Sequence, residues 1–180
     1  FPEYRKEQRF DLPPLIRPKT LSLTARTHGD YLEVLEGGAW KRIYIKGVNI
    51  GPARPGEFPS TPPLDVKTYI AWLDRIGEMN SNTVRVYTIL PPAFYQALKI
   101  YNKRAGEKLW LMQEVWLTER DDEDDLYSES WSEDFRNEIR DAIDVLHGHA
   151  DIPFRLGHAS GVYTADVSSY IIGIGIGREV

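Results

Sequence analysis

The feature that most constrains the fold is a repeated alternation of strand-like and helix-like segments from residue 43 onward. Apolar, β-branched runs typical of buried strands occupy 43–50, 83–89, 109–117 and 171–177. Apolar residues at helical spacing follow each of the first three runs. Such alternation predicts parallel strands joined by right-handed helical crossovers, and therefore an α/β fold.

Local signals mark where the three predicted helices begin. Asp65 stands where it can cap the first helix. Pro91 and Pro92 start the second helix, because proline is favoured in the first turn, where its missing N–H would have no partner. Ser130 and Glu133 have the spacing of a capping box at the start of the third. Residues 148–170 contain Gly, Pro and Asp and are predicted to form a long excursion before the last strand.

The N-terminal part of the chain lacks this alternation. Period-two patterns at 21–25 and 31–35 flank the turn residues around Gly29, which is a hairpin signature. We therefore divide the chain into an N-terminal extension with a β-hairpin (1–42) and an α/β unit (43–180).

On the last predicted strand, period two places Gly173, Gly175 and Gly177 on one face. A strand face without side chains indicates close approach by a neighbouring group or by a ligand.

Charge and motif content exclude several function classes. A net charge of −5, from 27 acidic and 22 basic residues, provides no electrostatic footprint for nucleic acid and no basic face for a membrane surface. No run of 18 apolar residues is present, so no membrane-spanning segment is expected. The first strand-to-helix turn lacks G-x-G-x-x-G and no P-loop occurs, which disfavours an open nucleotide-binding sheet relative to a barrel.

Metal and cofactor chemistry is also not indicated by the sequence. The chain has no cysteine, so a disulfide framework or a thiolate metal site is impossible. His147, His149 and His158 lack the spacing of a metal site. We therefore expect neither a metal ion nor a cofactor.

Short motifs at the ends of the predicted strands form a recognisable set. They are GVN at 47–49, NTVRVY at 82–87 and GIGIGREV at 173–180. In order and spacing they resemble the N-terminal half of the barrel in the clan A retaining (β/α)₈ glycoside hydrolases, over roughly residues 43–119 and 171–180. The similarity is strongest to β-1,3-glucanosyltransferase-like domains, and β-galactosidase/β-glucuronidase-like barrels share the first two motifs.

The resemblance implies half of a TIM (β/α)₈ barrel, with strands 1–4 parallel and the chain truncated after strand 4. It implies that Glu179, at the end of strand 4, is the acid/base carboxylate. The nucleophile ends strand 7 in that family and is absent from this chain, so the chain alone is expected to have little or no activity. Arg178 stands where the family has an asparagine that binds the sugar 2-hydroxyl, and it is the candidate substrate contact at that position.

Two charged residues inside predicted strands have two interpretations each. The resemblance implies that Arg85 lies under the active site and holds a catalytic carboxylate. The alternative interpretation is that Arg85 forms a structural ion pair. Of Gln113 and Glu114, one is expected to point into the barrel. Glu114 is then either a second active-site carboxylate or the partner of Arg85.

Three further residues are candidate substrate-binding positions. Tyr87 and Trp116, near the ends of strands 2 and 3, could stack on the apolar C–H face of a sugar or could pack in the core. Asn49, at the end of strand 1, could hydrogen-bond sugar hydroxyls or could serve in a turn.

The function expected for the parent domain is retaining hydrolysis or transglycosylation of a β-linked glycan, so the expected partner is an oligo- or polysaccharide. Glu179 would protonate the leaving oxygen and then deprotonate the incoming water or sugar. Two alternatives stay open: a non-catalytic carbohydrate-binding barrel, favoured by Arg178, and a half-barrel assembly module that self-associates through exposed sheet edges. The sequence does not fix a compartment, although the resemblance favours an extracytoplasmic or secreted parent.

Overall fold

The computed structural model describes residues 22–54, 56–57, 64–116 and 128–177. Within these ranges the chain forms a small antiparallel sheet, a four-stranded parallel sheet and three α-helices. The predicted α/β class and the parallel strand arrangement are therefore confirmed. Within the same ranges, no helix combines the length and the apolar character needed to cross a bilayer.

The N-terminal sheet contains a hairpin with its turn at Gly29 as predicted, but its first strand is Ala25–His28 rather than 21–25, and a third strand follows. Its strands are antiparallel and adjacent in chain order: β1 (Ala25–His28), β2 (Tyr31–Glu36) and β3 (Ala39–Ile43). Gly29 turns the first hairpin in the left-handed region, at φ +57°, which residues with a side chain rarely adopt.

The prediction of one continuous strand over 43–50 was wrong. Ile43 ends β3, where it pairs antiparallel with Leu32, and the first parallel strand begins only at Gly47. The strand-like stretch is divided between two sheets, because its first residue pairs in the antiparallel sheet and residues 47–49 pair in the parallel one.

The remaining elements alternate as the sequence predicts. In chain order they are β4 (Gly47–Asn49), α1 (Val66–Glu78), β5 (Thr83–Val86), α2 (Pro92–Arg104), β6 (Trp110–Val115), α3 (Glu129–Leu146), β7 (Ala150–Ile152), β8 (Gly161–Tyr163), a 3₁₀ turn (Ser168–Tyr170) and β9 (Ile171–Ile176). The parallel sheet has the order β4-β5-β6-β9. The strands of the parallel sheet are therefore neighbours in chain order. The separate β7–β8 pair lies in the chain between β6 and β9.

Two of the three predicted helix starts are confirmed. Asp65 caps α1 by accepting a hydrogen bond from the backbone N–H of Thr68 at 2.7 Å, and α2 begins at Pro92. The capping box at Ser130 was wrong, because Ser128 is the cap and its hydroxyl accepts from the backbone N–H of Trp131. The serine two residues earlier competes with the same side-chain chemistry, so the motif alone did not select the helix start.

The main core lies between the parallel sheet and the helices. Val84, Val86 and Leu111 of the sheet are fully buried against residues such as Leu73 of α1 and Leu98 of α2. Each such side chain contributes about 1.5–3 kcal/mol when it is removed from water. This layer therefore accounts for most of the apolar stabilisation of the fold.

A second, smaller core lies on the opposite face of the sheet. Val34 of the antiparallel sheet packs there with Trp110, at the start of β6, and Ile172, at the start of β9. The hydroxyl of Thr24 also donates a hydrogen bond to the backbone carbonyl of Ile171 at 2.5 Å. The antiparallel sheet thus covers the N-terminal ends of β6 and β9 and leaves their C-terminal ends open.

The predicted excursion over 148–170 is folded rather than irregular. It contains the antiparallel β7–β8 pair and is anchored by Tyr163, whose hydroxyl donates to the backbone carbonyl of Leu90 at 3.0 Å. The ring of Tyr163 also packs edge-on against Tyr95 with the centroids 5.7 Å apart. Buried aromatic contacts therefore fix this segment to the start of α2.

The end of α3 depends on a glycine. Gly148 has φ +65°, its N–H donates to the carbonyl of Val145, and the N–H of His149 donates to the carbonyl of Asp144, which is the Schellman pattern of a helix end. A Cβ at Gly148 would lie 2.6 Å from the backbone nitrogen of Asp166. Both the backbone conformation and the space therefore require glycine.

We expect Gly148→Ala to lower the free energy of unfolding by about 2–4 kcal/mol, because left-handed strain and a clash with rigid backbone add together. Gly29→Ala is the matched control, since Gly29 has a similar φ but no atom within 4 Å of an added Cβ. Urea unfolding should show a loss of only about 1–2 kcal/mol for the control. Equal losses in the two variants would contradict the close-packing account of Gly148.

Candidate functional site

Polar side chains collect on the sheet face that points away from the helices. Along β5 and β6, residues alternate between the two faces, so Arg85 and Glu114 oppose the buried residues Val84, Val86 and Val115. Asn49, at the end of β4, is directly paired with Arg85 in the sheet. The candidate site therefore lies at the C-terminal ends of three neighbouring parallel strands.

Arg85 and Glu114 form a two-point ion pair across β5 and β6. The Nε and Nη2 atoms of Arg85 each donate to a different oxygen of the Glu114 carboxylate at 2.6 Å. The side chains are 31% and 17% exposed, so the pair is partly removed from water. Two parallel charge-assisted hydrogen bonds fix the geometry of both groups. Of the two interpretations of Glu114, pairing with Arg85 is the one found.

Asn49 lies within reach of the same pair. Its Oδ1 accepts from Nη1 of Arg85 at 3.4 Å, which is a weak hydrogen bond. The side chain of Asn49 is exposed, so its amide N–H groups are available to a ligand on this face of the sheet.

On the glycine face of β9, Gly175 leaves room for the side chain of Glu114. Gly175 is paired with Glu114 in the sheet, and a Cβ there would lie 2.6 Å from Cγ of Glu114. The predicted close approach by a neighbour is therefore confirmed at Gly175. Gly177 has φ +112°, a conformation that favours glycine. It directly precedes Arg178 and Glu179 in the chain.

Tyr87 and Trp116 form an aromatic pair just past the ends of β5 and β6. Their ring centroids are 6.0 Å apart at an interplanar angle of 68°. Trp116 is 38% exposed and belongs to neither buried cluster. The structure thus places both aromatic candidates together at the strand ends, with Trp116 accessible to a ligand.

Gln113 points the other way, into the helix layer. Its side chain is fully buried, accepting from the hydroxyl of Tyr95 at 2.8 Å and donating to the backbone carbonyl of Thr88 at 3.0 Å. Of these two neighbouring residues, Gln113 thus faces the helices and Glu114 faces away from them.

Arg178 and Glu179 lie outside the described residues. Their candidate roles as substrate contact and acid/base carboxylate stay predictions. The last described residue before them is Gly177, directly after β9.

A second polar cluster, which the sequence reasoning missed, joins α3 to the segment between β7 and β8. Nε2 of His158 lies 2.7 Å from Oε1 of Glu138, and Nη2 of Arg155 lies 3.3 Å from the other oxygen of that carboxylate. Arg155 also contacts Asp141 at 3.1 Å. The sequence does contain one indication of this cluster. Glu138 lies three residues after Phe135 and four before Ala142, so a charged residue stands on the apolar stripe of α3 and needs a partner there.

Burial and nearby charges shift the pKa values of two carboxyl groups in this cluster in opposite directions. Burial raises the pKa of Glu138, but the hydrogen bond and charge of His158, together with the charge of Arg155, outweigh burial, so its pKa is lowered overall. For Asp141, burial dominates over the charge of Arg155 and the pKa is raised. Among the described residues, no group of three or more His, Cys, Asp or Glu side chains could hold a metal ion.

Comparison with known proteins identifies no relative. No family model matches the chain, and no curated protein or solved structure matches it either. The function must therefore be argued from the residues and their geometry.

The fit between Gly175 and Glu114 predicts a position-specific effect of adding one methyl group. We expect Gly175→Ala to lower the free energy of unfolding by about 1–3 kcal/mol, because the Glu114 side chain must move off Arg85. Gly173→Ala is the control on the same strand face, where an added Cβ would be 3.9 Å from Met112. Urea unfolding should leave the control within about 0.5 kcal/mol of the parent; an equal loss at both glycines would contradict this account.

The lowered pKa of Glu138 predicts that part of the stability is lost in acid. A depressed carboxyl pKa contributes stability that is present above the ordinary value of 4.5 and is lost as the pH falls through the folded-state value. Glu138→Gln should therefore flatten the fall in unfolding free energy below about pH 4.5. Asp141→Asn is the opposite-sign control and should steepen that fall, since its raised pKa opposes it. Urea unfolding at several pH values measures how the unfolding free energy of each variant depends on pH. If the pH profile of Glu138→Gln ran parallel to that of the parent, the lowered pKa of Glu138 would be contradicted.

Proposed function

We propose that this chain is the N-terminal half of a retaining glycoside-hydrolase or transglycosylase barrel that acts on a β-linked glycan. The observation that carries the proposal is the grouping of Asn49, Arg85 and Glu114 beside the Tyr87–Trp116 pair at the C-terminal ends of parallel strands. In (β/α)₈ barrels the active site is built at that end. The four-stranded parallel sheet with helices on one face supports this reading, in which it is half of such a barrel.

The grouped residues have the chemistry that a sugar requires. Hydroxyl groups need donors and acceptors, which the Asn49 amide and the Arg85 guanidinium supply at the sheet surface. The apolar C–H face of a sugar ring needs an exposed aromatic surface, which Trp116 offers. Because both oxygens of the Glu114 carboxylate accept hydrogen bonds from Arg85, the role of Glu114 in the site is to position the arginine.

In this proposal Glu179 is the acid/base residue, directly beyond the end of β9. It protonates the leaving glycosidic oxygen and then takes the proton from the incoming water or sugar hydroxyl. The nucleophile carboxylate, about 5–5.5 Å away in retaining enzymes, belongs to a later strand than the four parallel strands of this chain. The chain therefore binds a glycan and requires the other half of the barrel for turnover.

The test combines glycan binding with turnover. We expect this chain to bind a β-linked glycan on an array, with Trp116→Ala weakening binding about tenfold through loss of stacking. Trp131→Ala is the matched control, because Trp131 packs on Phe135 of α3 and is not part of the site. If no β-linked glycan binds, or if the two tryptophan variants behave alike, the proposal fails.

Turnover distinguishes the enzyme from a binding module. In a form that contains a complete barrel, about 250 residues, Glu179→Gln should lower kcat by about 10²- to 10⁴-fold while binding persists. Binding without turnover in the complete form would instead support the non-catalytic carbohydrate-binding barrel, for which the arginine at position 178 is the sequence argument.

Self-association is a second candidate role, favoured by one feature of β9. Ile174 and Ile176 are 38% and 66% exposed, and within the described residues β4 and β9 each have a neighbour on one side only. An exposed sheet edge with apolar side chains is a template for pairing with another chain. Light scattering tests it, since a monomer at micromolar concentration would exclude the assembly role.

A further inference from the structure

A cavity of about 590 Å³ opens beside the candidate site, with Trp116 in its wall. Its volume lies within the range of about 300–1,000 Å³ that is usual for small-molecule sites. It lies between the strand ends, α3 and the segment joining β7 to β8. The side chains in its wall that matter here are Thr88, Trp116, Glu138, Arg155, Leu156 and His158.

Hydrogen-bonding capacity in this wall is only partly used. All of the hydrogen bonds that Arg155 makes to described residues use Nη2, so Nε and Nη1 have no partner among those residues. The hydroxyl of Thr88 also has no hydrogen-bond partner in the described part of the chain; its contact with Gln113 uses the backbone carbonyl. The wall therefore offers both donors and acceptors to a ligand.

The charge balance of the cavity disfavours an anionic ligand. The carboxylates of Glu138 and Asp141 lie within 3.3 Å of Nη2 of Arg155 and offset its positive charge. A ligand with its own negative charge would gain no net attraction. A neutral ligand with several hydroxyl groups can use the mixed donors and acceptors, while its apolar face contacts the indole of Trp116.

We propose that this cavity is a second sugar-binding subsite, which takes a neutral pyranose residue of the same glycan that the candidate site binds. The inference rests on the proposed function and deepens it, because Trp116 lies in the wall of the cavity and also pairs with Tyr87 in the candidate site. The glycan then runs from the strand ends past Trp116 toward α3. Thr88 and Arg155 hydrogen-bond its hydroxyls.

Glu138 is a positioning residue for this subsite. It is 8% exposed, and its two oxygens separately contact His158 and Arg155. Those two residues also form an isolated backbone bridge with each other. One buried carboxylate on α3 thus holds both ends of the short turn that carries the wall of the cavity.

The experiment measures the gain in affinity with glycan length. The probes are neutral disaccharides and tetrasaccharides of the β-1,3- and β-1,4-linked gluco- and manno-series, titrated calorimetrically into this chain. The chain should bind the tetrasaccharide of one series more tightly than the disaccharide. Thr88→Val and Arg155→Met should each remove about fivefold to tenfold of that gain, the worth of one hydrogen bond, and leave disaccharide affinity unchanged.

Two controls test whether the gain in affinity depends on the cavity and on a neutral sugar. Arg140→Met removes an arginine from α3 that pairs with Glu133 outside the cavity, and it should leave both affinities unchanged. A tetrasaccharide of the same linkage built from uronic acids should bind more weakly than the neutral one. Thermal unfolding of Thr88→Val, which keeps the side-chain shape, should match the parent, so that a lost gain reports the hydroxyl and not the fold.

The outcomes separate the subsite from the proposed function. If neither length of any series binds, the proposed function fails and the subsite fails with it. If a disaccharide binds but the tetrasaccharide gains nothing, or if the gain survives both Thr88→Val and Arg155→Met, the subsite is overturned and the proposed function stands. Tighter binding of the uronic acid tetrasaccharide would overturn the neutral-sugar assignment.

Discussion

The ion pair between Arg85 and Glu114 is the interaction on which the polar face of the parallel sheet depends. It joins β5 to β6 through two hydrogen bonds of 2.6 Å, and it requires a residue without a side chain at Gly175 of β9. Removing either charge would leave the other partly buried without its partner, which costs more than the pair contributes. Three of the four parallel strands therefore constrain one another at the point where the candidate site lies.

The other face of strand β6, which packs against the helices, also carries a polar residue with a structural role. Gln113, adjacent to Glu114, is buried among the helices and bonds to Tyr95 of α2 and to the backbone of Thr88 after β5. A buried amide with satisfied hydrogen bonds specifies one arrangement of its neighbours, because any shift leaves polar atoms without partners. Two consecutive polar residues thus position the polar surface above the sheet and the loop that borders the cavity.

The segment between α3 and β9 continues this polar surface from the strand ends toward α3. Tyr163 anchors it to the start of α2, and Glu138 anchors the turn with Arg155 and His158 to α3. These anchors are buried, so the wall of the cavity is supported by the core. The candidate site and the proposed subsite then share Trp116 as their common boundary, so one extended ligand can contact both.

Local sequence patterns were enough to predict the alternation of strands and helices, the parallel strand arrangement, the Asp65 cap and the start of α2 at the pair Pro91 and Pro92. These features depend on side-chain periodicity and on hydrogen bonds within three or four residues, so a local pattern suffices to encode them. The folded structure was needed to assign Ile43 to the antiparallel sheet and the cap of α3 to Ser128. It likewise decided that Glu114 meets Arg85, 29 positions away, and that Glu138 meets His158, 20 positions away. Those partners are brought together by strand register and by the packing of a folded excursion, and neither leaves a periodic signal in the chain.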